Sequence, residues 1–289
     1  MIDLQDILKK DKIIKVSPDE TLTKALSRLS TSHDAGFVFD ADDKYIGVIN
    51  PYYSLIKSSH PGNSKVLHCL HHPPKIYIDF SLSKVAELLI QSKIHYLPVL
   101  DRKDNFLGII SARRLLTHLK ELPIFKEKIS VLFRFPKRPL VVIYEDESIA
   151  KAVHIFKTSK FSKIIVINRD MKLKGILSYY DLISFMVTPK GQGGRREKVG
   201  DKSHINSQPV KNFVKTFVLT LKKEGLVSDA FKLMIDKKIG SVILVDEERH
   251  PVGIITTRDL LQYFIDKERF QFLTRASSKI RLFLSRKRT

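Results

Sequence analysis

The sequence predicts an α+β protein made of four tandem β-α-β-β-α repeats, which form two pairs with pseudo-two-fold symmetry. Four times a short apolar strand runs through a glycine into a polar residue and then into a helical pattern. The glycines are Gly47, Gly108, Gly175 and Gly253. Because these repeats use nearly all of the 289 residues, little chain is left for a separate catalytic domain.

The fourth repeat shows the predicted elements most clearly. Residues 217–221 form the first strand, and residues 227–236 carry apolar side chains at helical spacing. The apolar run within 241–245 is typical of a strand buried on both faces, and a polar turn joins it to the strand 252–255. A second helix begins near Thr257.

The same order of elements fits the other three repeats. One unit of about 60 residues has a small core and an open sheet face, so pairing two units back to back buries that face. The predicted strands and helices are 13–16, 22–29, 36–39 and 46–49, then 76–78, 82–90, 96–100 and 107–110, then 141–143, 149–156, 164–167 and 173–177. The predicted repeat boundaries are 1–60, 61–124, 125–188 and 203–267, with a Gly/Arg-rich loop at 189–202 and a basic amphipathic tail at 268–289.

The junction between strand and helix resembles the signature of the cystathionine β-synthase (CBS) domain, a ligand-sensing module that occurs in pairs called Bateman modules. The pattern is glycine, two apolar residues, then a tetrad of Ser or Thr, two variable residues and Asp. It is complete in Gly175–Asp181 and Gly253–Asp259. The resemblance covers roughly residues 1–267 and implies two tandem pairs, as in the γ regulatory subunit of AMP-activated protein kinase.

The two complete tetrads are the predicted ligand sites. Backbone N–H groups at a helix start can face an anion, and a short hydroxyl can cap the helix or bond a ligand. The resemblance implies that Asp181 and Asp259 hold the ribose of an adenine nucleotide beside Ser178 and Thr256, and that Thr220 contacts the base. The alternative is that both acids only cap helices.

The first two tetrads depart from the pattern. Ser111–Arg114 has a cation where the pattern has Asp, and Asn50–Tyr53 lacks both the hydroxyl and the acid. We therefore expect up to two adenosine-type sites in the C-terminal pair. The N-terminal pair is expected to be degenerate or to bind another ligand.

Candidate phosphate contacts lie near the start of the second strand of each repeat. The resemblance implies this role for His95, although Tyr96 replaces the Arg that follows in the kinase subunit. Lys163 and Lys238 occupy similar places, and Arg258 lies within the fourth tetrad. A hydrogen-bonded buried histidine and solvated charges are the alternatives for these residues.

Composition restricts the class of protein. No apolar run is long enough to span a membrane, and the acidic start Met1–Asp6 does not suggest a secretory signal. The single cysteine, Cys69, cannot form an internal disulfide, which fits a cytoplasmic protein. The net charge of +20 predicts attraction to polyanions such as nucleotides, nucleic acids, acidic proteins or anionic membranes.

Other chemistry is poorly represented in the sequence. His68, Cys69, His71 and His72 cluster, but their spacing matches no compact zinc pattern, so we expect no metal requirement for the fold. No phosphate-loop motif and no evident pairing of nucleophile and base are present. The sequence therefore predicts that the protein is not an enzyme.

The favoured function is a regulatory sensor that binds AMP, ADP or ATP and transmits occupancy to an unknown effector protein. The alternative is a nucleic-acid-associated protein that uses the loop and the tail to contact DNA or RNA. The loop can also be a passive linker or a lid, and the tail can pack on the core or dock on a partner or an acidic membrane surface. Homodimerisation through helix faces is compatible with the pattern.

Overall fold

The computed structural model describes residues 3–29, 35–58, 60–92, 94–120, 122–133, 140–159, 161–182 and 203–270. Within them, four three-stranded sheets follow one another along the chain, one in each repeat, as the repeat pattern predicts. The predicted loop 189–202 and the predicted tail beyond residue 270 lie outside the described residues.

Each sheet has the same topology. The first strand pairs in parallel with the second, and the second pairs in an antiparallel hairpin with the third, so the second strand is central. In chain order the elements are β1 (Lys15–Val16), α1 (Leu22–Leu29), β2 (Gly36–Phe39) and β3 (Tyr45–Ile49), then β4 (Ile76–Tyr77), α2 (Leu82–Gln91), β5 (Tyr96–Leu100), β6 (Phe106–Ser111) and α3 (Ala112–Leu119), then β7 (Val142–Tyr144), α4 (Ile149–Thr158), β8 (Lys163–Ile167) and β9 (Leu173–Ser178), and finally α5 (Ser203–Asn206), β10 (Thr220–Lys222), α6 (Val227–Asp236), β11 (Ser241–Val245), β12 (Pro251–Thr256) and α7 (257–270).

The central strands confirm the prediction from their apolar runs, because β2 is buried throughout and β5, β8 and β11 are buried except at their first residue. The first strands of the first, second and fourth repeats are shorter than predicted, and that of the third is shifted by one residue. The prediction that the first strand of the fourth repeat begins at Phe217 is wrong. That strand, β10, begins at Thr220, and Phe217 is 86% exposed. An apolar residue in this segment does not require a strand, because the sheet pairs only where β11 lies beside it.

Polar caps fix the starts of the helices that follow the first strands. The Ser81 hydroxyl accepts a hydrogen bond from the Lys84 N–H at 3.2 Å, at the start of α2. At α6, Asp229 reaches back to accept from the Leu226 N–H at 3.0 Å. Each such cap contributes about 1 kcal/mol.

The helix after the hairpin differs between repeats. It is regular in α3 and α7, as predicted, but in the first repeat it is the π-helix Tyr52–Lys57, in which the Ser58 N–H donates to the Tyr53 carbonyl. In the third repeat the structure describes one 3₁₀ turn, Tyr179–Leu182. The π-helix places Tyr52 and Tyr53 toward the interior of the protein, where Tyr52 contacts Tyr179.

The motif glycines allow a linker to cross closely over the sheet. Lys9 bridges to Ile109 beside Gly108, where an added Cβ would lie 2.8 Å from the Lys9 carbonyl oxygen. Lys215 likewise crosses Gly175, where a Cβ would lie 2.5 Å from the Lys215 carbonyl oxygen. Each of these linkers leads into the neighbouring repeat of the pair, so the glycine permits the exchange of segments that joins two repeats. The same crossing occurs at Gly47 beneath His71.

Within each pair the two sheets pack face to face. In the N-terminal pair the interface is aromatic: the Phe39 and Phe106 rings meet nearly at right angles with centroids 5.1 Å apart, and Tyr45 lies 5.6 Å from Phe106. In the C-terminal pair the buried interface residues are aliphatic. They are Ile165, Ile167, Ile243 and Val245.

The two pairs contact each other through their helices, with the first repeat against the third and the second against the fourth. Tyr52 and Tyr179 lie 5.5 Å apart in the first contact. In the second, Phe125, which follows the predicted end of the second repeat directly, lies 4.7 Å from Phe231. The Tyr263 hydroxyl also donates to the Ile124 carbonyl at 3.0 Å. This arrangement brings strand-to-helix junctions from different repeats into the middle of the molecule.

Candidate functional site

Tyr180 of the third repeat lies where residues of the first and second repeats meet it. The His95 ring of the second repeat stacks on it with centroids 5.1 Å apart. The fully buried Asn50 of the first repeat donates from its side-chain amide to the Tyr180 hydroxyl at 3.5 Å. His95, which the sequence predicts as a phosphate contact, is therefore held by an aromatic contact at the centre of the molecule.

A large cleft opens beside this centre, between the second, third and fourth repeats. Its volume is about 1460 Å³, more than the roughly 300–1,000 Å³ of most small-molecule sites. Five of the eight predicted site residues line it: His95, Lys163, Thr256, Arg258 and Asp259. The other three, Ser178, Asp181 and Thr220, are not among its lining residues.

The fourth tetrad combines a helix cap with a place in the cleft wall. Asp259 accepts from the Thr256 N–H at 2.8 Å and from the Thr256 hydroxyl at 2.6 Å. Both bonds fall on one carboxylate oxygen, Oδ2, and the Asp259 side chain is only partly buried. Capping the helix and contacting a ligand are compatible roles for Asp259, because both cap bonds use one carboxylate oxygen and the residue lies in the cleft wall.

The third tetrad is closed by the protein itself. Asp181 accepts from the Ser178 N–H at 2.8 Å through Oδ2, and its Oδ1 lies 2.6 Å from the ammonium of Lys215. The Asp181 side chain is only 8% exposed. Sequence reasoning missed Lys215, because it lies on the linker beyond the predicted loop and nothing in the tetrad points to it.

Lys163 connects the two repeats of the C-terminal pair. Its ammonium donates to the Ser241 hydroxyl at 2.8 Å, which joins the first residues of β8 and β11. Burial lowers the pKa of Lys163 to about 8, while the Asp181 carboxylate raises it and Lys215 lowers it further. The side chain still carries its charge at neutral pH, so it can attract an anion in the cleft.

Two arginines at the third position of their tetrads reach across to the opposite repeat. Arg258 donates to the Ile90 carbonyl in the last turn of α2, and Arg113 donates to the Lys238 carbonyl beyond the end of α6 at 2.6 Å. We call these contacts the Arg258 clasp and the Arg113 clasp. The sequence shows that both arginines occupy the third position of a tetrad. It does not show which backbone carbonyls they contact.

The second tetrad is occupied by its own arginine. Arg114, which stands where the pattern has Asp, donates to the Ile7 carbonyl and, at 2.8 Å, to the Leu8 carbonyl. The Ser111 hydroxyl caps the following helix by accepting from the Arg114 N–H. In the second repeat a cation bound to backbone carbonyls thus stands where the pattern has its acid.

The histidine and cysteine cluster has structural contacts. Cys69 is buried, and burial raises the pKa of its thiol. The His71 ring stacks on Tyr53 with centroids 3.5 Å apart. In the described parts of the chain, no three His, Cys, Asp or Glu side chains converge as metal ligands. Nor does any helix there have the length and apolar character needed to cross a bilayer.

The chain is similar to known proteins in both sequence and fold. The family model described as "CBS domain" matches at residues 4–52, 67–121, 132–188 and 210–266, which together make up more than half of the chain. The crystal structure of protein MJ1225 from Methanocaldococcus jannaschii has a TM-score of 0.76 at 20% identity, covering 91% of this chain and 100% of that chain. At this identity the likeness shows the shared fold.

Two curated relatives match this chain over only part of their own length. Protein MJ1404 of Methanocaldococcus jannaschii is 23% identical over 271 residues, which is 91% of this chain and 62% of that protein. The human 5'-AMP-activated protein kinase subunit gamma-3 is 27% identical over 193 residues, which is 64% of this chain and 38% of that protein. The matched part of this chain thus corresponds to less than two thirds of either relative.

Proposed function

We propose, from the premise that this chain belongs to the CBS domain family, that it is a cytoplasmic regulatory protein without catalytic activity. It binds an adenine nucleotide, AMP, ADP or ATP, in the C-terminal pair and transmits occupancy to an effector protein. The observation that carries the proposal is the complete fourth tetrad, whose Thr256 and Asp259 line a cleft shared by three repeats.

The cleft offers a partner for each part of a nucleotide. Asp259 accepts hydrogen bonds from the ribose hydroxyls, since a carboxylate is an acceptor only. Lys163, Arg258 and His95 lie in the same cleft and supply the groups for phosphate. Aliphatic side chains such as Ile254 and Leu244 also line it and suit the faces of a base. The kinase γ-3 relative supports AMP as one of the candidates.

A thermal-shift series with AMP, ADP, ATP, NAD and S-adenosylmethionine tests the proposal. A ligand that binds only the folded state adds about 2.7 kcal/mol to the free energy of unfolding when its concentration is a hundred times Kd. The melting temperature rises as a result. We expect a shift with at least one adenine nucleotide. The absence of any shift at millimolar concentration overturns the nucleotide proposal.

Binding is expected to be 1:1, because Lys215 occupies the third tetrad while the fourth lines the cleft. Isothermal titration calorimetry should therefore give one site per chain. In the Lys215→Ala variant, the Asp181 carboxylate loses its ion-pair partner, and a second nucleotide site is expected to appear at the third tetrad. The matched control is Lys211→Ala on the same linker, which should leave the stoichiometry at one. Two sites in the unaltered protein would contradict this prediction.

Nucleotide affinity is expected to fall as the pH rises above about 8, because the Lys163 ammonium loses its proton there rather than near 10.5. A bound phosphate favours the charged form, so binding takes up a proton and affinity decreases by at most about tenfold per pH unit. Calorimetry between about pH 7 and 9 measures this, well below the usual lysine pKa. Lys163→Arg is the control, because arginine stays charged and its profile should be flat.

The nucleic-acid alternative has less support. The net charge of +20 does not choose among polyanions, and the loop 189–202 and the tail beyond residue 270 lie outside the described residues.

A further inference from the structure

The two clasps differ in their relation to the cleft. Arg258 and its acceptor residue Ile90 both line the cleft, whereas Arg113 and Lys238 are not among the lining residues. The Arg258 clasp is also partly buried, and the Arg113 clasp is exposed. A ligand in the cleft can therefore meet Arg258, while the equivalent contact on the other side of the same interface serves as an internal reference.

The Arg258 guanidinium is shared between a helix end and the candidate site. Its acceptor is a carbonyl of the last turn of α2, one of the groups that a helix leaves without an intrahelical partner and that carry partial negative charge. Arg258 and Asp259 both line the cleft, so an anionic ligand held by the fourth tetrad comes close to the guanidinium.

A phosphate is the stronger partner in this competition. The bond from the guanidinium to the Ile90 carbonyl is charged on the donor side only, whereas a phosphate adds negative charge on the acceptor side and matches the planar fork of arginine with two oxygens. A neutral backbone carbonyl gains no such charge pairing. An entering phosphate is thus expected to take the guanidinium from Ile90.

We propose that the Arg258 clasp is a ligand-controlled switch: the phosphate of a bound nucleotide takes Arg258 from the Ile90 carbonyl and loosens repeat 2 from repeat 4 at the C-terminal end of α2. This inference rests on the proposed function and adds to it the route by which occupancy reaches another repeat. The coupling is reciprocal, so closure of the clasp opposes phosphate binding. The Arg113 clasp stays closed in both states.

Hydrogen exchange of the full chain, measured by mass spectrometry, tests the switch. AMP, ADP and ATP are each compared with adenosine, which lacks phosphate. With a bound nucleotide, the amides at the end of α2, around residues 88–92, should exchange roughly tenfold faster, the factor implied by loss of one charge-assisted hydrogen bond. Adenosine should leave these amides unchanged.

Two variants make the test specific. Arg258→Ala should show the fast exchange at the end of α2 without any ligand, and nucleotide should cause no further increase. Arg113→Ala, the matched control, should instead speed exchange at the end of α6 and keep the nucleotide response at α2.

Calorimetry on the same samples separates the outcomes. If no nucleotide binds, the proposed function fails and the switch fails with it. If nucleotide binds and exchange at the end of α2 stays constant or slows, only the switch is overturned. The switch is also overturned if adenosine produces the same change as the nucleotides, because then the phosphate is not what releases Arg258.

Discussion

Replacing Asp259 with asparagine is expected to weaken adenine-nucleotide binding about 10- to 100-fold. Hydrogen bonds to a charged group contribute roughly 1.5–3 kcal/mol, and each 1.4 kcal/mol is tenfold in affinity. Asparagine is nearly isosteric and keeps one acceptor oxygen for the Thr256 cap, but it offers the ribose hydroxyls no carboxylate. Titration calorimetry of the variant against the unaltered protein measures the effect.

The control for this variant is Asp229→Asn, because Asp229 makes the same kind of cap in the same repeat. It accepts from the Leu226 N–H at 3.0 Å and is not among the residues that line the cleft. We expect its affinity for nucleotide to stay within about twofold, since distant sites act independently. If Asp259→Asn also binds normally, Asp259 is only a helix cap and the ribose role is wrong.

The second large effect is expected on stability, from Gly175→Ala. An added methyl would lie 2.5 Å from the Lys215 carbonyl oxygen and 2.6 Å from Cγ2 of Val214, so the linker must move away from β9. Forcing atoms into a packed place costs about 1–3 kcal/mol. The midpoint of urea unfolding should fall accordingly.

Gly240→Ala is the matched control for the crowding argument. Its added methyl would meet one neighbour, the end of the flexible Lys163 side chain at 3.2 Å, which can shift. We expect its unfolding midpoint to lie much closer to that of the unaltered protein. Equal losses in the two variants would mean that a general intolerance of larger residues, rather than the crossing linker, explains the motif glycine.

The fold could be predicted because its signals are local and occur four times. The helices Leu22–Leu29 and Val227–Asp236 and the strand Ser241–Val245 have the predicted bounds, since the apolar pattern that defines each lies within its own segment. The first strands were predicted less well. Their length depends on pairing with a strand more than 20 residues away, as Thr220 pairs with Ile243.

The candidate site was predicted in part for the same reason. The tetrads are local motifs, and the sequence therefore found Thr256 and Asp259, which line the cleft. It also singled out Arg258, without the carbonyl of Ile90 that the guanidinium contacts. That contact joins residues from two repeats, and residue type alone does not name a backbone acceptor.

The sequence by itself determined that the chain is a fourfold repeat with two complete tetrads. Only the tertiary structure decided that these tetrads are not equivalent. Asp181 is paired with Lys215 and does not line the cleft, while Asp259 accepts hydrogen bonds from Thr256 and lies in the wall of the cleft. The reason is physical: a motif records which groups are adjacent along the chain, whereas ion pairing and burial depend on distances in space, which folding sets.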